Sequence, residues 1–141
     1  MPLIYHVDDE VVPVKGDRTI REFVKKTLED GIADTVVESF VNIQQLANAA
    51  TENIPDLIIL DLCLKGGTKI DIVAVLNGTA SLYRDAPRTL RKAPVLILSN
   101  IPPDDKIADR IKPHQWLEKE DACGNPVLLV RAVRKLLGLK P

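Results

Sequence analysis

The sequence predicts an α/β fold: a parallel sheet covered by helices on both faces. Three observations predict it. Apolar runs of strand length alternate along the chain with segments of helical period. Two of those runs, Leu57–Leu60 and Val95–Leu98, are continuously apolar, which suits a parallel strand buried on both faces. The order of elements, βαβαβαβαβα, implies right-handed crossovers and a three-layer sandwich.

Leu3 to Val7 is the first strand, ending in Asp8-Asp9-Glu10. A loop with Pro13 and Gly16 follows, then Thr19-x-x-Glu22, a capping box whose hydroxyl and carboxylate would reciprocally satisfy free backbone donors. Ile20, Phe23, Val24 and Leu28 share one face of the helix so opened, which stops at Gly31. Thr35 to Val41 is a second strand, mixed in polarity as an edge strand is. After Asn42, the residues Ile43, Leu46, Ala47 and Ala50 form a helical stripe. The strand Leu57–Leu60 is entered from Pro55-Asp56 and runs into Asp61. Gly66-Gly67 breaks the chain, and Thr68-x-x-Asp71 opens a helix that Gly78 can end. Thr79 to Ala93 is a polar connection carrying Arg84, Arg88, Arg91 and Lys92, read as a solvated loop. The fourth strand, Val95–Leu98, runs into Ser99-Asn100, and a weakly patterned helix covers Asp104 to Ile111. Gln115 to Glu118 is the fifth strand, ending at Lys119. Asn125-Pro126 is a cap and first-turn pair for a last helix with Leu129, Ala132, Val133, Leu136 and Leu137, up to Gly138.

Length and composition narrow the function. The 141 residues suffice for one domain with its own core, and no repeat or composition shift marks a second, so residues 1–141 are expected to form a single unit. A net charge of −1 gives no footprint for nucleic acid. Two cysteines, Cys63 and Cys123, do not make a disulfide framework and suit a reducing cytosol. The first residues lack the basic and long apolar regions of a signal peptide, and no apolar run approaches the roughly 20 residues of a membrane helix. The expectation is a soluble, cytoplasmic protein.

In open parallel sheets the functional crevice lies outside the carboxyl ends of the strands. There the sequence places Asp8 and Asp9 after strand one, Asp61 after strand three, Ser99 after strand four and Lys119 after strand five. Alone, Asp8 and Asp9 read as the polar end of a strand. If strands one and three are neighbours, however, three carboxylates converge, and two such charges about 4 Å apart repel by roughly 4 kcal/mol at an effective dielectric near 20. A divalent cation offsets that repulsion, and oxygen donors without histidine or thiolate favour Mg²⁺. A lysine and a hydroxyl across the pocket would hold phosphoryl oxygens, completing the parts of an aspartyl-phosphate site. His6, within an apolar strand, reads as a satisfied core histidine, and His114 as a loop residue.

The segments Val7-Asp8-Asp9-Glu10, Asp56-Leu57-Ile58-Ile59-Leu60-Asp61-Leu62, Leu96-Ile97-Leu98-Ser99 and Trp116-Leu117-Glu118-Lys119 resemble the signature blocks of response-regulator receiver domains of two-component signalling, the CheY-like family. The resemblance covers nearly the whole chain in the right order. It implies a flavodoxin-like (βα)5 doubly wound sheet of strand order 2-1-3-4-5. It implies Asp61 as phosphoacceptor, supplied by a histidine kinase or a histidine phosphotransfer protein. Asp9, Asp61 and the backbone carbonyl of Cys63 would bind Mg²⁺ directly, with Asp8 assisting through water. Lys119 would contact the phosphoryl group, Ser99 would move towards it on activation, and Trp116 would occupy the switch-aromatic position. Output would pass to a downstream protein, and a homodimer is compatible with such a role. Neither nucleic acid nor membrane is expected as a partner, and the protein is a signalling domain rather than an enzyme.

The chain departs from the family pattern in several places. The loop 11–17 and the connection before strand four are longer than usual, and Lys65 stands where many members have proline. Asn100 follows Ser99 where a small residue is typical, and Glu120 replaces the proline that follows the lysine, putting the family's cis peptide in question. Two other readings compete. One is a pseudo-receiver, an interaction module that is never phosphorylated, against which the complete set of five residues argues. The other is an aspartyl-phosphate phosphohydrolase, which needs a second Asp two positions after the nucleophile, where this chain has Cys63. A dinucleotide-binding fold fails because no G-x-G-x-x-G follows the first strand.

Overall fold

The computed structural model describes residues 1–11, 16, 18–61, 93–100 and 115–140. Its strands are β1 (Leu3–Val7), β2 (Val36–Phe40), β3 (Leu57–Leu60), β4 (Val95–Ser99) and β5 (Gln115–Glu118). Its helices are α1 (Ile20–Gly31), α2 (Ile43–Ala50), α3 (Lys119–Gly124) and α4 (Pro126–Leu136). The helices expected from Thr68 and over 104–111, and the connection 79–92, lie outside the described residues.

Among the described residues the four strand pairings are parallel, and the order is β2-β1-β3-β4-β5. β2 is an edge strand, as its mixed polarity predicted, and it starts and stops one residue inside the expected span. β3 and β4 are buried along their whole length. Alternate side chains point to opposite faces, so the sheet divides the core in two. Tyr5, Val7, Ile58, Leu60 and Ile97 pack against Ile43, Leu46, Ala47 and Ala50 of α2. Ile4, Val37, Leu57, Ile59, Leu96 and Leu98 pack on the other face against α1, α3 and α4.

The helix ends follow local chemistry. Thr19 caps α1 by accepting the Glu22 amide at 3.3 Å, while the Glu22 carboxylate takes the Thr19 hydroxyl at 3.1 Å. The box is therefore closed between side chains rather than on the Thr19 amide. Asn42 caps α2 by accepting the Gln45 amide at 2.8 Å. Asn125 stands at the N-cap of α4 without a side-chain cap bond, and Pro126 supplies the preset first turn. Gly31 does more than end α1. A Cβ there would come within 2.9 Å of Val130 Cγ2, so its bare backbone is what lets α4 pack close. The short helix α3, beginning at Lys119 directly after β5, was not anticipated from the sequence; six residues hold too little apolar period to see, and it reaches the core through Ala122, with Cys123 packed beside it.

Candidate functional site

β1 lies between β2 and β3, and the ladders continue one residue beyond the strands. The Asp8 amide donates to Phe40 O at 3.0 Å, and the Asp61 amide donates to Val7 O at 3.1 Å. Both acids are thus fixed by backbone pairing and project from adjacent strands at the carboxyl edge. Asp8, Asp9 and Asp61 each present an oxygen, and the three oxygens lie within 4.8 Å of one another. Asp8 and Asp61 are buried and Asp9 is half-buried.

Across this acidic group stands Lys119, also buried. Its Nζ is 2.7 Å from Asp8 Oδ2, 2.8 Å from Glu10 Oε2 and 3.1 Å from Asp61 Oδ2. The Asp8 contact is an ion pair without hydrogen-bond alignment. Ser99 Oγ donates to the other oxygen of Asp61, Oδ1, at 2.8 Å. Two further contacts shape the loop after β1. The Glu10 amide donates to Asp8 Oδ1 at 2.9 Å, and Arg21 Nη1 donates to the carbonyls of Asp8 at 2.6 Å and Glu10 at 3.3 Å.

Burial pushes the Asp8 carboxyl up to about 6, assisted by the charge of Asp61 and opposed by Lys119 and the Glu10 amide. For Lys119, burial opposes the charge. Its contacts with Asp8 and Glu10 and the charge of Asp61 outweigh that, and its pKa rises above the usual lysine value. His6 is held down at about 3 by burial and by the charges of Lys119 and Arg21. It is the expected core histidine but not a satisfied one, since among the described residues neither ring nitrogen meets a partner. β1 pairs with β2 so that His6 lies beside Ser39, whose buried hydroxyl is also unpartnered among the described residues.

The structure therefore brings together Asp8, Asp9, Asp61, Ser99 and Lys119, residues up to 111 positions apart that the strand order alone makes neighbours. Trp116 is half-buried on β5, opposite Ile97 and packed on the α2-side core. Asn100 is exposed, and Glu120 lies in the first turn of α3. Cys63, Lys65 and His114 lie outside the described residues. Two participants escaped the sequence reading. In the sequence Glu10 is only the end of the acidic run. Arg21 does have a local signal: a cation in the first turn of a helix faces the positive end of the dipole, so a compensating contact favours it.

The sequence matches no protein-family model, and none of the curated proteins matches it. Solved structures do match. The chain is similar to the chemotaxis protein CheY4 of Vibrio cholerae, at 22% identity and a TM-score of 0.72, over 96% of this chain and 98% of that one. It is similar to the signal receiver domain of a signal transduction histidine kinase from Syntrophus aciditrophicus, at 23% identity and a TM-score of 0.70, over 98% and 91%. A response regulator receiver protein from Burkholderia phymatum follows at 19% identity and a TM-score of 0.69, over 99% and 98%. At these identities the likeness establishes the architecture: the chain has the CheY-like fold of response-regulator receiver domains. Among the described residues no helix is long and apolar enough to cross a membrane.

Proposed function

We propose that the protein is a phosphorylation-controlled receiver in which Asp61 accepts a phosphoryl group from a histidine kinase or a histidine phosphotransfer protein. One observation carries the reading. Asp61 is buried at a strand end with one oxygen on Ser99 and the other on Lys119, inside a group of three carboxylates. In the transfer a carboxylate oxygen of Asp61 attacks phosphorus. A P–O bond forms as the P–N bond to the donor imidazole breaks, and the electron pair stays on the imidazole nitrogen. The Asp61 negative charge is lost in the acyl phosphate, and Lys119 and the Ser99 hydroxyl are placed to meet the incoming phosphoryl oxygens.

The donor set fits a hard cation. Among the described residues three carboxylate oxygens converge without a histidine or cysteine ligand, and Asp9 keeps a path to water. Asp8, Asp9 and Asp61 would hold Mg²⁺, which when bound supplies positive charge against the phosphoryl oxygens. The Cys63 carbonyl is a further proposed ligand. Output passes by protein–protein contact, with Ser99 and Trp116 as switch residues on neighbouring strands. Trp116 is the only tryptophan, so its fluorescence reports β5 directly. Beryllofluoride with Mg²⁺ should change it.

Intact mass after incubation with acetyl phosphate and Mg²⁺ tests the proposal. One phosphoryl adduct is expected on the wild type and none on Asp61→Asn. Wild-type protein that takes no adduct from any donor would leave the never-phosphorylated interaction module as the better reading. A millimolar Mg²⁺ series should also raise the melting temperature, by about 1.4 kcal/mol of stability at ten times Kd.

A further inference from the structure

We propose that Glu10 is a latch on Lys119: it holds the ammonium in the resting site and must release it before a phosphoryl group can be gripped. The inference rests on Asp61 being the phosphoacceptor and adds a residue to that site. Lys119 has three carboxylates around it: its Nζ donates to Glu10 and Asp61 and forms an ion pair with Asp8, so its charge is already shared. Phosphorylation removes the charge of Asp61 but brings oxygens with up to two charges beside it. Lys119 can serve them fully only by loosening another partner. Asp8 is fully buried, belongs to the carboxylate group suited to a metal, and has no water to turn to. Glu10 has neither restriction. It lies outside that group, and its side chain keeps 28% of its surface in solvent, so it can swing into water at little cost.

Its aim is built in. Glu10 lies 109 residues from Lys119, and three backbone contacts point it there. Its amide is held by Asp8 Oδ1, and Arg21 clamps the carbonyls on either side of Asp9. Arg21 leaves the main chain of this loop fixed while the Glu10 side chain moves. Glu10 is therefore a positioning residue acting through Lys119, and the competition between its carboxylate and the phosphoryl oxygens sets how readily the modified state forms.

The test measures beryllofluoride affinity by ¹⁹F NMR at saturating Mg²⁺, for wild type, Glu10→Gln and Glu10→Asp. Glu10→Gln removes the charge. Glu10→Asp keeps it but is one methylene too short to hold Nζ at 2.8 Å. Both should bind the phosphoryl mimic roughly fivefold tighter than wild type, the scale of a partly exposed ion pair. Tightening by Glu10→Gln alone would show through-space repulsion and overturn the latch. So would affinities equal to wild type, or weaker binding in both variants, which would make Glu10 a support for Lys119 rather than a restraint. Wild type that binds no mimic at all is a different failure: it removes Asp61 as phosphoacceptor, and the latch falls with it.

Discussion

The two ends of the sheet are built from the same strands and carry opposite burdens. At the amino end the backbone groups are closed by short contacts. Val36 N donates to Pro2 O at 3.0 Å, Ile58 N to Pro94 O at 3.0 Å, and Asp56 N to Leu3 O at 2.7 Å, while the exposed Asp56 carboxylate accepts Leu3 N at 2.8 Å. At the carboxyl end the same ladder logic fixes Asp8 and Asp61, but what it fixes is charge without solvent. Asp8, Glu10 and Asp61 surround one lysine, and Asp9 stands beside Asp8 and Asp61. The amino end is arranged for stability, and the carboxyl end holds charges whose balance a ligand would complete. Functional sites are where such local costs are expected.

The largest test of that contrast is Lys119→Met. It leaves Asp8 and Asp61 buried with no ammonium between them, and breaking a buried pair from one side costs about 3–5 kcal/mol. Urea denaturation without divalent cations should show that loss, and added Mg²⁺ should return part of it. Ile59→Ala, in the fully buried middle of β3, should cost about 2–5 kcal/mol through the cavity it leaves. Mg²⁺ should not relieve that cost. Equal rescue of both variants would break the distinction between the site and the core.

Titration sharpens the same contrast within β1. Asp8 has a folded pKa raised to about 6, above its unfolded value of 3.8. The folded state binds more protons between these values, so the Asp8 contribution to stability is full below about pH 4 and is lost as pH rises through about 6. His6 is shifted the other way, from 6.5 to about 3. Its contribution is full above pH 6.5 and is lost as pH falls towards 3. Between about pH 4 and about 6 the two slopes oppose each other, each on the scale of 2–3 kcal/mol. Stability differences, measured in metal-free buffer, should therefore slope in opposite directions: wild type minus His6→Leu rises with pH, and wild type minus Asp8→Asn falls. Parallel slopes would mean that one of the two groups is not buried as described.

How far the sequence carried the fold follows from which signals are local. Continuous apolar runs announced β3 and β4, and the stripes Ile20-Phe23-Val24-Leu28 and Ile43-Leu46-Ala47-Ala50 announced α1 and α2, because burial on a face leaves a period in the sequence. Five of the site residues were legible for a related reason: each sits at or just past the carboxyl end of a strand, although β5, which delivers Lys119, is mixed in polarity and half-buried. Glu10 and Arg21 were not, since their roles depend on where a loop's carbonyls and a distant lysine fall in space. α3 was hidden because six residues with two adjacent core contacts, Ala122 and Cys123, leave no period. That His6 has no partner among the described residues was equally invisible, because a histidine in an apolar strand looks the same whether or not its nitrogens are satisfied.

The smallest expected effect compares the two aspartates that bracket β3. Asp56, at the amino end, accepts the Leu3 amide where both groups are exposed. Asp56→Ala removes that acceptor, water replaces it in part, and stability should fall by about 0.5–1 kcal/mol. Asp61, five residues on, is buried among carboxylates. Asp61→Asn keeps an amide oxygen for the Ser99 hydroxyl and leaves Lys119 paired with Asp8 and Glu10, so no buried charge is stranded. It removes one of the three carboxylates that share the lysine, and the metal-free protein should gain about 1 kcal/mol from the reduced repulsion. The gain should shrink as Mg²⁺ is added, because the wild type is then stabilised by an ion that the variant holds less well. Paired melting curves in chelator and in Mg²⁺ read both signs at once. A loss of stability on Asp61→Asn in chelator would show that Lys119 and Ser99 already balance Asp61, and the two ends of the sheet would differ in chemistry but not in strain.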